Sequence, residues 1–369
     1  MRCLRPGGAR RRCQLLDGDT AAFCASLVDG LAQLESTLLR EEDDGDGGGG
    51  GGGGAVSMRW CADAMRLVKR MQRELLVMFK KADVPVGGAV SYGGGGGGGD
   101  GGGCWFEHYM QETAALLDFC NAFKSAVSRL HRYCMVVDFA AQVGCAGAAA
   151  AAENGGGGGG WWLEEEPGGD DADAIRHRLS DVRAAVSEAE RLGRKIMSSS
   201  SGGGAAGDDD AGGMVVVMLV AKITMAVVSM FVLQALTSPI VPLAADVDDG
   251  HCTLGRAAAV PVPELQPWRE SLSVITDRFP RRPGVAEHER VAMVVKSMMI
   301  NTKMEGEEET KNGKQEQEDD HVELLRTRSG ELREGVEMFD CVLDEVFDEV
   351  IKGRNEMLGI FRDKALTLG

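Results

Sequence analysis

The chain has 369 residues, of which 52 are glycine, and a formal net charge of -17 at pH 7. Many of the glycines stand in homopolymer runs, at residues 47–54, 93–99 and 155–160, which bury no apolar surface and lose much backbone entropy on ordering. So acidic a chain is not expected to bind nucleic acid, because neutralising phosphates requires a basic surface. We therefore predict a folded part divided by glycine-rich linkers at 45–56, 93–103 and 153–160.

The first 19 residues are the basic exception to this composition. Five arginines, namely Arg2, Arg5, Arg10, Arg11 and Arg12, precede the first acidic residue, Asp17. A transit peptide or a contact with anionic lipid would fit this pattern, but no apolar stretch follows it as a secretory signal requires. We favour a disordered basic N-terminus over residues 1–19.

Apolar residues recur every three or four positions between the glycine runs, which is the spacing of amphipathic helices. This spacing predicts helices over 20–40, over 57–81 with Ser57 as N-cap, over 105–143 and over 171–197. The third helix would be about 55 to 60 Å long at 1.5 Å per residue, and so requires long neighbours. The predicted fold class is all-α, an elongated antiparallel helical bundle with disordered Gly-rich and acidic linkers.

The C-terminal half continues the pattern after a flexible linker at 198–213. An apolar helix at 214–236 leads to a Pro-containing connector at 239–303 with short helices near 268–279 and 285–300. An acidic stretch without apolar residues, 304–320, is predicted to be disordered, and the last bundle helix falls within 321–366. These segments follow a unit of N-terminal bundle helices over residues 20–197.

Opposite charges on two of these helices predict which of them pack together. The helix at 57–81 carries seven Lys or Arg residues against two Asp or Glu residues, and the last helix has a strongly acidic solvent face. Faces of opposite sign favour one pairing over others more than they add stability. We therefore expect these two helices to lie side by side.

The stretch 214–236 contains 23 residues, of which only Lys222, Thr224, Ser229 and Gln234 are polar. Its helical length of about 35 Å is sufficient to cross a bilayer core of about 30 Å. Its twelve Val, Leu, Ile and Phe residues favour insertion by roughly 4 to 7 kcal/mol, whereas a central lysine opposes insertion by about 2.5 to 3.5 kcal/mol. Lys222 and Ser229 share a helix face, as in a helix with one polar seam against partner helices. The residues alone leave a membrane span and a buried helix equally open.

Motifs that would indicate an enzyme do not occur in this sequence. There is no GxxxxGK[ST] or G-x-S-x-G motif, and the ten cysteines form no CxxC pair. The six histidines form no HxxxH or HExxH motif. We predict no catalytic residue, no metal site and no cofactor, and we expect the cysteines to be reduced core residues.

The segment "YMQETAALLDFCNAFKSAVSRLHRYCMVVDFA" resembles the plant BYPASS family of helical proteins, through Leu116, Leu117, Asp118, Cys120, Asn121 and Ala122. Three other pieces of the chain follow in the family's order: residues 60–86, the apolar stretch, and residues 339–361. The resemblance implies a role in root and shoot development or in the control of a root-derived mobile signal. It also implies membrane association of the apolar segment.

Within this block we expect Cys120 to be a core residue rather than a nucleophile, and Asp118 and Asn121 to form a structural polar contact with another helix. The predicted function is that of a non-enzymatic regulatory or scaffold protein that contacts protein partners. We expect it to be membrane-associated through 214–236, with its N-terminal side in the cytosol. The alternative is a soluble cytoplasmic helical interaction module whose acidic tail binds a basic partner.

Overall fold

A computed structural model of the protein describes residues 18–43, 56–81, 105–143, 209–236, 265–278, 286–303 and 311–367. These residues form seven helices: α1 (Gly18–Asp43), α2 (Met58–Lys81), α3 (Trp105–Val143), α4 (Asp209–Leu236), α5 (Gln266–Arg278), α6 (Glu287–Lys303) and α7 (Lys311–Thr367). The only β pairing in these ranges is an isolated bridge between Val56 and Ala286. The all-α prediction is confirmed. The predicted helix at 171–197, the basic N-terminus up to residue 17 and the linkers at 93–103 and 153–160 lie outside the described residues.

The start of α2 follows from its capping residue. Ser57 Oγ accepts a hydrogen bond of 3.0 Å from the backbone N–H of Trp60, which satisfies one of the free donors of the first turn. The predicted N-cap is thus confirmed. The bounds of α3 also coincide with the predicted 105–143.

Two predicted linkers are helical in part, so the predictions were wrong for 209–213 and 311–320; residues 198–208 and 304–310 lie outside the described residues. The last helix begins at Lys311, inside the acidic stretch 304–320, and α4 begins at Asp209, inside the linker 198–213. Extending an existing helix costs far less than nucleating one, so the packed parts of α7 and α4 propagate into polar sequence.

Four helices form a ring in which each contacts the next. α7 packs against α2 and α3, and α4 packs against the same two helices on the other side. α1 lies against α2 and α4, α5 covers α1, and α6 packs on α7. The helix with the most apolar sequence, α4, is therefore surrounded by α1, α2 and α3.

The directions of the helices correct part of the antiparallel prediction. Lys69 bonds Glu345, Arg73 bonds Glu349 and Lys80 bonds Glu356, each pair 276 residues apart. A constant offset means that α2 and α7 run parallel. The predicted pairing of the basic and acidic helices is confirmed, and their parallel direction departs from the antiparallel bundle that was predicted. Long connections separate these two helices in the chain, so no short hairpin imposes an antiparallel direction.

The α3–α7 pair does run antiparallel. Lys124 of α3 lies 2.6 Å from Asp340 of α7, while Asp138, further along α3, accepts a hydrogen bond of 2.7 Å from Ser329, earlier in α7. The core between the helices is continuous and includes Trp60, whose indole N–H donates to the carbonyl oxygen of Leu34 at 3.1 Å. Each large apolar side chain buried here stabilises the fold by about 1.5 to 3 kcal/mol.

Candidate functional site

The central helix α4 contains the one segment in the described part of the chain that is long and apolar enough to cross a membrane. This segment is Val216–Leu236, with a mean hydropathy of 2.4 in its most apolar window, and 94% of that window is buried inside the protein. A helix that is apolar on all sides is also typical of the centre of a soluble bundle. The polar contacts of this segment therefore bear on whether it is a membrane span or a buried bundle helix.

Lys222 is paired within the bundle. Its Nζ lies 2.7 Å from Oε1 of Glu112 on α3, and the two side chains are 32% and 13% exposed. The ammonium group is thus shielded by a neighbouring helix, in agreement with a polar seam that faces partner helices. Glu112 was not foreseen as its partner, although it lies three residues after Tyr109 and beside the predicted apolar stripe of α3.

Two further polar contacts hold the same turn of α4. Thr224 Oγ1 accepts a hydrogen bond of 2.9 Å from the indole N–H of Trp268 on α5. The side-chain amide of Gln72 on α2 donates to the sulfur of Met225 at 3.4 Å. Together with Lys222, these contacts connect α4 to three different helices within four residues.

Ser229 does not extend this polar seam. Its side chain is fully buried, and its hydroxyl has no hydrogen-bond partner among the described residues. The expectation that Lys222 and Ser229 together form a polar seam is therefore only half right. Lys222 and Ser229 lie about two turns apart on one face of α4, so they contact different neighbours. The spacing of residues in the sequence does not reveal which of those neighbours are polar.

A small cavity of about 10 Å³ lies between α2, α3 and α4, and its polar lining residues are Gln72, Tyr109, Glu112, Thr113 and Lys222. Burial raises the pKa of Tyr109 to about 12, so that its phenol stays neutral at physiological pH. Thr113 Oγ1 accepts a hydrogen bond of 2.8 Å from Arg354 of α7. The volume is that of about one water molecule, far below the several hundred Å³ of typical ligand pockets.

The family-like block of α3 separates into buried and exposed residues. Leu116 and Cys120 are fully buried, and Leu117 packs partly against the core. Asp118 and Asn121 are exposed, and no hydrogen bond joins them to another described helix. The predicted interhelical polar contact is therefore wrong, because these two positions fall on the solvent stripe of α3.

Cys120 behaves as the core residue that was predicted. Its burial raises the pKa of its thiol to about 12, and the nearby Lys124 lowers it only partly. A thiol with so high a pKa is almost entirely protonated near pH 7, and the thiolate is the nucleophilic form. Cys120 is thus unsuited to nucleophilic chemistry.

Exposed apolar side chains lie on the outer surface of α3, and exposed acidic side chains lie on that of α7. Near the end of α3 three large apolar side chains are solvent-exposed, Met135 at 70%, Val136 at 48% and Phe139 at 58%. Along the outward face of α7 the exposed acidic residues recur at helical spacing: Glu334, Glu337, Asp344 and Asp348. We call these four residues the acidic stripe.

Metal-binding chemistry has no evident site in the described ranges, where no group of three or more His, Cys, Asp or Glu side chains is placed to hold an ion. Comparison of the chain with protein-family models, with curated proteins and with solved structures gives no match. The resemblance to the BYPASS family therefore rests on the residues of the Leu116–Ala122 block and its flanking pieces, and it stays a prediction.

Proposed function

We propose that this protein is a non-enzymatic scaffold or regulatory protein that acts through contacts with protein partners. On its resemblance to the BYPASS family, the proposed setting is plant root and shoot development or the control of a root-derived mobile signal. The observation that carries the proposal is the acidic stripe of α7. In that stripe Glu334, Glu337 and Asp348 are exposed and have no ion-pair partner among the described helices, whereas the cavity beside Lys222 is too small for a metabolite.

The chemistry of the stripe indicates its partner. Three unpaired carboxylates on one helix face favour a basic protein surface, because complementary charge steers association and suppresses wrong partners. The fourth, Asp344, already lies 2.6 Å from Lys124 of α3. The protein itself uses the same chemistry between α7 and the basic helix α2. Exposed ion pairs are individually weak, so binding should depend strongly on salt.

The test compares two variants that change the net charge equally. One neutralises the stripe with Glu334→Gln, Glu337→Gln and Asp348→Asn. The matched control neutralises the exposed residues Asp29, Asp277 and Asp320 as Asp→Asn on other surfaces. We expect the stripe variant, but not the control, to lose protein partners in affinity purification and to fail to restore shoot growth in a plant that lacks BYPASS-family proteins. Equal behaviour of both variants, or turnover of a defined metabolite by the purified protein, would contradict the proposal.

For α4 we propose the role of a buried core helix in a cytoplasmic protein. The contacts of Lys222 with Glu112, Thr224 with Trp268 and Met225 with Gln72 support this role. Moving α4 into a bilayer would break all three contacts and would expose the apolar faces of α1, α2 and α3. These losses outweigh an insertion free energy that is only a few kcal/mol favourable.

Membrane attachment through 214–236, with the protein facing the cytosol, is the second candidate. It is supported by the hydropathy of Val216–Leu236. Extraction of membranes with carbonate separates the two candidates, because a spanning protein stays in the pellet and a core-helix protein is released. The variant Lys222→Leu, which removes the main opposition to insertion, serves as the sensitised case.

A further inference from the structure

One line of side chains follows the outer surface of α3 and ends in exposed apolar residues. In steps of three or four residues, which share one side of a helix, it extends from Ser125 to Asp118, Ala114 and Gln111 in one direction and to Arg132, Val136 and Phe139 in the other. We call these seven residues the α3 face. Val136 is 48% and Phe139 is 58% exposed. Large apolar side chains that are exposed together, rather than singly, are typical of an interaction surface.

The α3 face is symmetric in spacing about Ser125 and complementary in chemistry. Asp118 and Arg132 each lie seven residues from Ser125. Ala114 and Val136 each lie eleven residues from it. An acidic residue is thus matched by a basic one, and a small residue is matched by a branched apolar one. A surface with this arrangement is complementary to a second copy of itself.

Neither charge of the α3 face is paired within the described helices. Asp118 and Arg132 are exposed, and Arg132 donates only a long hydrogen bond of 3.4 Å to the carbonyl oxygen of Ser128 in its own helix. Fourteen residues separate the two charges, which is about 21 Å along the helix axis. They therefore do not pair with each other within one copy, and both are available to a second molecule.

We propose that the protein forms a symmetric dimer through the α3 face, with the two α3 helices antiparallel and a two-fold axis through Ser125. In a two-fold contact, residue i of one copy meets residue j of the other, and j meets i. Asp118 then faces the partner's Arg132, so that two ion pairs form. Ala114 leaves room for the partner's Val136 in the same way on both sides of the axis.

The charges select one register of this contact. Displacing one helix by a turn of four residues places Asp118 opposite the partner's Val136 or the partner's Ser128, so both ion pairs are lost together. Exposed ion pairs are weak, and two chains of net charge -17 repel each other. We therefore expect a dissociation constant in the micromolar range. The α3 face shares no residue with the acidic stripe, so the dimer does not rest on the proposed function.

Sedimentation equilibrium of the full wild-type chain tests the dimer itself. We expect the mean mass to rise from one chain towards two as the protein concentration increases through the micromolar range. A wild-type protein that stays monomeric up to about 500 μM would overturn the proposal, because a specific interface should be occupied at that concentration.

Two charge variants test the register. Asp118→Arg places arginine at both positions of the ion pair, and Arg132→Asp places aspartate at both. Each variant should self-associate about tenfold more weakly than the wild type, because two attractions become two repulsions. An equimolar mixture of the two variants regains both pairs of opposite charge, so we expect it to dimerise about as tightly as the wild type. A mixture that associates no better than either variant alone is the opposing result.

The apolar end of the α3 face is tested by Phe139→Ser, because Phe139 lies opposite the partner's Gln111 in the proposed contact. The matched control is Met293→Ser on α6, where the side chain is 54% exposed. We expect Phe139→Ser to weaken dimerisation about tenfold, since it removes apolar area that only the dimer buries, and Met293→Ser to leave it unchanged. Equal dimerisation of these two variants would contradict the proposal. If a charge variant loses helical content by circular dichroism, the comparison of Phe139→Ser with Met293→Ser decides.

Discussion

Arg73 of α2 and Glu349 of α7 form an ion pair of 2.7 Å, at the same separation of 276 residues that relates Lys69 to Glu345. Hydrogen bonding to Arg73 holds the pKa of Glu349 below its usual range. The repeated separation defines both the direction and the register of the two helices. A slip by one residue would misalign all three pairs together, so the ladder specifies one arrangement more than it adds stability.

This ladder predicts the behaviour of charge-swapped variants. Arg73→Glu should lower the free energy of unfolding by about 0.5 to 1 kcal/mol, because an exposed attraction becomes a repulsion. Adding Glu349→Arg should restore most of the loss. Urea denaturation of the single and double variants measures the coupling. If Arg73→Glu lowers the free energy of unfolding equally with and without Glu349→Arg, the two residues do not interact.

Replacement of one side of the Lys222–Glu112 pair should cost more than replacement of both. Glu112→Gln leaves an ammonium group in the bundle without its carboxylate, at an expected cost of about 1 to 3 kcal/mol, less than for a fully buried pair because Lys222 is a third exposed. The double variant Glu112→Leu and Lys222→Met should recover much of this loss. Asp63→Asn, which breaks an exposed pair with Arg66, is the control and should change stability by less than about 0.5 kcal/mol. A double variant with a lower free energy of unfolding than Glu112→Gln would be the contrary result.

Gly353 allows Tyr109 to approach α7. A Cβ at Gly353 would lie 2.4 Å from the Tyr109 hydroxyl, whereas a Cβ at Gly359 of the same helix would meet no atom within 4 Å. Gly353→Ala should therefore destabilise the protein by about 1 to 3 kcal/mol, and Gly359→Ala should stabilise it by up to about 1 kcal/mol through helix propensity. Tyr109→Phe, which removes the hydroxyl, should reduce the cost of Gly353→Ala. Thermal denaturation of the four variants tests the contact.

The pH dependence of stability should include a contribution from His288. Burial lowers the pKa of this side chain to about 4, while in the unfolded chain it titrates near 6.5. The folded protein thus binds fewer protons in this window, and stability should be lost as the pH falls from 6.5 towards 4. His288→Gln should flatten this part of a stability profile measured by urea denaturation.

The neighbouring Glu287 should act in the opposite direction. Burial raises its pKa, although its carboxylate accepts a hydrogen bond of 2.7 Å from the backbone N–H of Met58. The folded state then retains a proton that the unfolded chain has already released, so this group destabilises the fold as the pH rises above about 4.5. Glu287→Gln should remove that slope, and a profile that keeps it would assign the slope to another group.

Thiol labelling should divide the described cysteines by burial. Cys341 is exposed, and Cys24, Cys61, Cys120 and Cys134 are buried. Iodoacetamide should modify Cys341 in the native protein and the other four only after unfolding, because a buried protonated thiol is neither accessible nor nucleophilic. Peptide mass spectrometry identifies each site. Native labelling of Cys120 at the rate of Cys341 would contradict the core role of Cys120.

Helix positions were predictable to a useful degree because they depend on local spacing. The apolar stripe of α3 and the N-cap of α2 are short-range features, and the structure agrees with both. The burial of Cys120 follows from the same stripe. The predicted polar contact of Asp118 and Asn121 with another helix was wrong. Their spacing places them on one helix face but does not show that this face points to solvent.

The helical character of the described chain, the opposite charges of α2 and α7 and the apolar circumference of α4 could all be read from the amino-acid sequence. Each of these properties depends on residues that are close together in the sequence. None of them requires knowledge of which helices pack together. The parallel direction of α2 and α7 and the pairing of Lys222 with Glu112 became visible only in the folded chain. Both depend on which helices meet across long connections, and a side chain's solvation is set by those neighbours rather than by its own segment.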